Sequence, residues 1–204
     1  MLKDKFIKAS TWLFIATMVT NVFNYIFQVA MGRLLSTEDF GLMNALFALF
    51  LITSLPFSTI MTVLAKYVSN YLVSKDHSSI KGLFIKSYKN VFRIALVLFF
   101  IYLCLSFSIR SFLKLDNITP VILLGCAIFS SLVLPLNSAF LQGLQRFWSL
   151  GAVNCILGPA KFVLCSLFVI LGFRVNGVLC GIILSLTNLL INLLCIINKV
   201  KPWA

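Results

Sequence analysis

The side chain with the most chemical potential in this chain is a lysine inside an apolar run. Lys161 stands in ILGPAKFVLC, residues 156–165, about 11 residues from either end of a stretch greasy enough to cross a bilayer, or roughly 16 Å at 1.5 Å per residue. A lysine stem reaches only about 6 Å along its snorkelling direction, so the ammonium cannot arrive at the headgroups. Exposing it to lipid costs at least about 2.5–3.5 kcal/mol. It must therefore face protein or water. The five acidic residues are Asp4, Glu38, Asp39, Asp76 and Asp116, and none lies inside an apolar stretch, so no carboxylate of this chain reaches Lys161 at membrane depth. Two outcomes follow if the span is placed correctly: a structural lysine held neutral or against backbone carbonyls, or an ammonium whose partners are water and an anion from elsewhere. Pro159 favours the second. Having no N–H, it frees the carbonyl of Cys155 and can bend the helix beside Gly158, and a broken, polar, cationic midpoint is how transporters build substrate sites.

Other polar residues are laid out to face one another. Thr17, Asn21, Asn24 and Gln28 follow at intervals of four, three and four, which places them along one side of a helix. The same spacing recurs in Ser131, Pro135, Ser138 and Gln142, in Gly151, Asn154, Gly158, Lys161 and Cys165, and in Gly177, Gly181, Ser185, Asn188 and Asn192. Such stripes turn away from lipid, either to let helix backbones approach and amides bond across helices or to line a watered cavity. Close packing is the expectation for Gly177-x-x-x-Gly181. For Asn21, Asn24 and Gln28 both readings stand, since three amides exceed what packing needs.

These residues must be carried by membrane helices. Hydrophobic residues make up 61% of the chain and charged ones 11%, against roughly a quarter charged in soluble domains, and the mean hydropathy is +1.06. About 20 apolar residues span a bilayer. Turns rich in Lys, Asp, Asn and Gly divide the chain into six such segments, at 11–31, 40–71, 91–112, 118–141, 150–171 and 178–197, leaving nothing for a soluble domain. Runs such as IALVLFFIYLCL lack the alternation of a lipid-facing barrel, so the expected fold class is an all-α polytopic bundle, one unit over residues 1–204. The first segment is too long for a cleaved secretory signal and lacks a small-x-small exit. Pro56 is expected to bend the second, where Ser58 and Thr59 can re-satisfy the backbone.

Twelve of the 17 Lys and Arg fall on one side of these spans, with Arg33, Arg110, Lys114 and Arg174 on the other. The positive-inside rule then puts both termini in the cytoplasm of a multi-pass protein of the cytoplasmic membrane. Because the basic residues border spans, the net charge of +12 argues for a membrane partner and against nucleic acid. The most basic connector carries Lys81, Lys86, Lys89 and Arg93 around Leu83, Phe84 and Ile85. It reads as a topology signal, or as a helix start on an anionic leaflet. Ser36, with Asp39 three residues on, reads as a helix cap, with Glu38 and Asp39 at the positive helix end; a cation site is the alternative. His77 in its polar turn is assigned no chemistry. All six cysteines fall inside spans without a C-x-x-C pair, so they read as apolar filler and no metal or other cofactor is expected. General acid–base catalysis needs a carboxylate or His at the site. The spans have neither, so an enzyme is not expected.

Two stretches resemble a known family. MGRLLSTEDFGLMNALFALF, followed by LAKYVSNYL, and FLQGLQRFWSLGAVNCILGPAKFVLCSLFVILGFRVNGVLCGIILS resemble the polysaccharide transporters, the lipid-linked oligosaccharide flippases of the multidrug/oligosaccharidyl-lipid/polysaccharide (MOP) exporter superfamily. The resemblance implies two six-helix lobes around a basic cavity, moving a diphosphate-lipid-linked glycan across the membrane for polysaccharide or cell-surface glycan synthesis. This chain would be the amino-terminal lobe, with the second from a continued reading frame, another chain or a second copy. Lys161 and Arg33 would be the candidate anion contacts, and Asn21, Asn24, Gln28 and Asn154 candidate contacts for sugar or water. The competing functions are a drug or cation exporter of the MATE type, which would want a carboxylate in this lobe, and a non-transporting scaffold for a glycan-assembly complex.

Overall fold

The computed structural model describes the backbone of residues 2–113 and 117–200, and their side chains except at 2–6, 56–58, 134 and 189–200. The expectations for Lys3, Lys5, Pro56, Ser58, Lys114, Asn192, Cys195, Lys199 and Lys201 fall outside the described side chains. Within this frame the chain is an all-α bundle with the elements α1 (Leu2–Leu34), α2 (Thr37–Val73), α3 (His77–Phe112), α4 (Thr119–Gly143), α5 (Phe147–Phe168) and α6 (Arg174–Val200).

The turns are set by local chemistry. Ser36 caps α2, its Oγ accepting the Asp39 N–H at 3.2 Å, and Glu38 and Asp39 occupy the first turn. Asp76 caps α3 by accepting from the Ser79 N–H at 3.1 Å and the hydroxyls of Ser79 at 2.5 Å and Ser78 at 2.8 Å. These bonds to Ser79 and then Ser78 hold the Asp76 carboxyl below the ordinary carboxylate value. Helices α2 and α4 stop in the same way. The N–H of Asp76 bonds back to Tyr71 and that of Arg146 to Leu141, with Lys75 and Gln145 left-handed at φ 56° and 57°, the Schellman arrangement with side chains where glycine is usual.

Among the described residues five stretches are long and apolar enough to cross a membrane, and the fifth, Phe147–Asn188, covers 42 residues. That stretch does not run straight. A wide turn at Val169–Phe173, with Gly172 at φ 91°, folds it into α5 and α6. A Cβ placed on Gly181 would lie 2.8 Å from the Cys165 backbone and one on Gly177 2.9 Å from that of Phe168, so the two helices are antiparallel and nearly touching. The glycine pair is a packing device, as its spacing implies.

Helix α4 is the hub, packed against α2, α3 and α6, while α1 lies on α5 and α5 on α6. The core has two parts. Phe27 and Met31, Met43 and Leu46, Leu124 and Ile128, and Val178 and Leu179 join α1, α2, α4 and α6 toward the end of the bundle that carries Ser36. Leu64 and Val68, Ile80 and Val91, and Leu136 and Phe140 join α2, α3 and α4 toward the end that carries Asp76. Helix α3 has 36 residues, about 54 Å against a hydrocarbon core of about 30 Å. Leu83, Phe84 and Tyr88 face inward in this helix, Phe84 meeting Phe140 edge-on at 4.8 Å. The basic connector is thus the first turns of a continuous helix packed on α2 and α4, and Lys81, Lys86, Lys89 and Arg93 occupy its exposed face.

Candidate functional site

Lys161 is positioned by an unusually close approach of α5 to α1. Gly158 makes that approach possible, since a Cβ there would come within 3.1 Å of both Thr20 Cα and Phe23 Cβ. The contact is fastened by the Thr20 hydroxyl, which donates to the Asn154 carbonyl at 2.8 Å and to Ala16 at 3.0 Å. One helical turn beyond, the Lys161 stem leaves α5 between α1 and α2. Pro159 sits inside α5, and the helix continues through it to Phe168.

The ammonium has three donors. It donates to Asn24 Oδ1 at 3.2 Å, and it lies 4.4 Å from the centroid of the Phe27 ring and 5.9 Å from that of Phe47. Ring faces attract a cation, and among the described residues no carboxylate bonds the group. It also lines a cavity of about 340 Å³ together with Asn24, Phe47 and Phe50, Leu124 and Ser185, residues drawn from α1, α2, α4, α5 and α6. The cavity wall is mainly apolar with few polar groups, the usual composition of a binding site. It exists because α1 and α2 diverge from their short turn at Leu35 and Ser36, α1 following α5 and α2 following α4.

The remaining candidates are distributed unevenly. Gln28 donates to Asn44 Oδ1 at 2.8 Å, and Asn44 donates to the Phe40 carbonyl at 2.9 Å, tying α1 to α2 directly beyond the lysine. Asn154 contributes its carbonyl to the α1 contact. Asn21 is exposed beside the cavity and not on its wall. Arg33 is exposed in the last turn of α1, nine residues past Asn24 and so about 14 Å farther along the axis. The structure brings Lys161 and Asn24 together, and it brings neither Arg33 nor Asn21 to them. Sequence reasoning passed over Phe27, Phe47 and Asn44. The amide of Asn44 in an apolar helix was a readable signal, whereas two of 20 phenylalanines carried none. The stripe Ser131, Pro135, Ser138, Gln142 lines a different cavity, between α2 and α4. Among the described residues no three of His, Cys, Asp and Glu come together as metal ligands.

With this geometry in view, the chain can be set beside known proteins. No family model matches it. It is 23% identical over 182 residues to an "uncharacterized membrane protein in cps region" of Klebsiella pneumoniae, covering 89% of this chain and 35% of that one. Among solved structures it superposes on a MOP superfamily transporter from Pyrococcus furiosus with a TM-score of 0.77 at 16% identity, over 95% of this chain and 44% of that one. A multidrug resistance MATE family transporter of the same superfamily, captured outward-facing, gives a TM-score of 0.75 at 17% identity, over 95% and 45%. The chain spans about a third of the length of the curated relative and under half of the solved transporters. Over that extent its fold is that of a MOP superfamily transporter.

Proposed function

We propose that the chain forms one half of a membrane transporter that moves an anionic, diphosphate-lipid-linked glycan across the cytoplasmic membrane. The observation that carries this reading is Lys161, an ammonium on the wall of a membrane-depth cavity whose only bonded side-chain neighbours among the described residues are an amide and two aromatic rings. Those partners leave donors for an incoming anion, and a diphosphate supplies acceptors in the charge-assisted form that binds most strongly. The fold of MOP superfamily transporters, the relative in a "cps region" and the family resemblance of the two sequence stretches support the same direction.

In this reading the excess of Lys and Arg at the Asp76 end marks the cytoplasmic side, the lipid tail stays in the bilayer, and the open side between α1 and α2 is completed by a second half. Arg33 stands at the opposite end, where an anion would arrive or leave. A cationic drug suits the cavity poorly, because nothing on its wall carries negative charge.

The test is binding of farnesyl diphosphate to the chain in lipid nanodiscs. Lys161→Met, which keeps the length and apolar stem, should weaken binding about 10- to 100-fold, the worth of a charged hydrogen bond. Equal binding by the variant, or cationic dyes competing with the diphosphate, would remove the anion from the mechanism.

A further inference from the structure

The cavity at Lys161 is continued by a second one. Helices α2 and α4 run side by side in the same direction, since Phe47 and Leu51 meet the first cavity with Leu124 and Ala127, while Val68 closes on Gly143 near the other end. Between these contacts the two helices hold a space of about 400 Å³ lined by Ser54 and Thr62 from α2 and by Ser131, Pro135, Ser138 and Gln142 from α4. The step from Leu51 to Ser54, or from Ala127 to Ser131, is close to one helical turn, about 4.5–6 Å. The two cavities are therefore consecutive along one helix pair, and the second leads toward the Asp76 end.

Their linings differ in chemistry. The first offers a cation and aromatic rings. The second offers hydroxyls and an amide with no charged group on its wall. Pro135 lacks the N–H that would bond the carbonyl of Ser131, so a backbone acceptor is freed at this lining, and freed backbone at membrane depth is tolerated where it meets water or a ligand. Donors and acceptors without charge suit a polyhydroxylated, neutral group. Asn24 and Gln28, the nearer sugar candidates, are already committed to Lys161 and Asn44.

We infer that the α2–α4 cavity is a carbohydrate subsite, which takes the neutral sugar of a ligand whose anionic group is held at Lys161. It rests on the anion site proposed above and adds where the sugar is read and by which residues. Ser138 and Gln142 are the recognition residues, Gln142 at the exposed mouth and Ser138 one turn inside.

The experiment compares two probes on the chain in nanodiscs, farnesyl diphosphate and the same diphosphate bearing a disaccharide. The wild type should bind the sugar-bearing probe about tenfold more tightly, the return of one or two hydrogen bonds. Ser138→Ala combined with Gln142→Ala should cut that advantage to about twofold or less while the affinity for farnesyl diphosphate stays unchanged. Lys161→Met should weaken both probes by the same factor. If the double variant proves unstable by its melting temperature, Gln142→Ala alone, at an exposed position, should lose part of the advantage. A wild type that does not distinguish the probes, or an advantage that survives the substitutions, overturns the subsite and leaves the anion site standing. Failure of the wild type to bind either probe overturns the anion site and the subsite with it.

Discussion

Lys161 shows how one residue can be legible in type and opaque in partnership. Its depth and lack of a carboxylate were readable from 204 letters, but its neighbours Asn24, Phe27 and Phe47 come from helices 110 to 140 positions away in sequence. Asn24→Ala should leave the Lys161 side chain less ordered and weaken diphosphate binding by about three- to tenfold, less than Lys161→Met, since Asn24 positions the lysine and does not itself supply the charge that meets the anion. Farnesyl diphosphate binding measures both. Asp76 gives a separate prediction at this scale. Its carboxyl titrates below the ordinary value of 3.8 in the folded chain because Ser79 and Ser78 bond its charged form, so the stabilisation is present above the unfolded value and is lost as pH falls through the folded one. Melting temperatures taken from about pH 5 to about pH 2 should fall. Asp76→Ala should start lower and lose the part of that slope that Asp76 supplies, and an unchanged slope would count against the cap.

At the scale of elements, the stability of the bundle turns on glycine contacts that permit backbone approach. Gly181→Ala would put a Cβ 2.8 Å from the Cys165 backbone, which cannot move aside as a side-chain tip could, and should cost about 1–3 kcal/mol by separating α5 from α6. Gly41→Ala meets nothing within 4 Å and should be neutral or gain up to about 1 kcal/mol from helix propensity. Thermal unfolding of the two variants decides the matter, because a propensity effect alone would make both stabilising. The same reasoning explains why the stripes had two readings in sequence. Gly151 and Gly158 proved to be contacts with α1 and Gly181 a contact with α5, whereas Ser131, Ser138 and Gln142 proved to line a cavity, and periodicity assigns a face to a residue without saying what lies opposite it.

For the molecule as a whole, the charge pattern predicts orientation. In a variant with its own cysteines replaced, Ser78→Cys should react with a membrane-impermeant thiol reagent only when the cytoplasmic face is open, and Ser36→Cys only from the other side. Labelling in the reverse sense would overturn the assignment of the Asp76 end to the cytoplasmic side. The all-α membrane class, the Ser36 cap and the close packing at Gly177 and Gly181 were legible in the letters alone, because hydropathy, capping and spacing are local properties. The sequence also marked Lys161 as a residue in need of a partner. That α1 follows α5 while α2 follows α4, which opens the cavity, and that the basic start of α3 is packed against its neighbours, emerged with the folded bundle. The physical reason is that the bilayer makes every helix apolar on most sides. Hydrophobicity then loses its power to say which helix meets which, and the choice falls to the fit of small residues and a few polar bonds between segments distant in the chain.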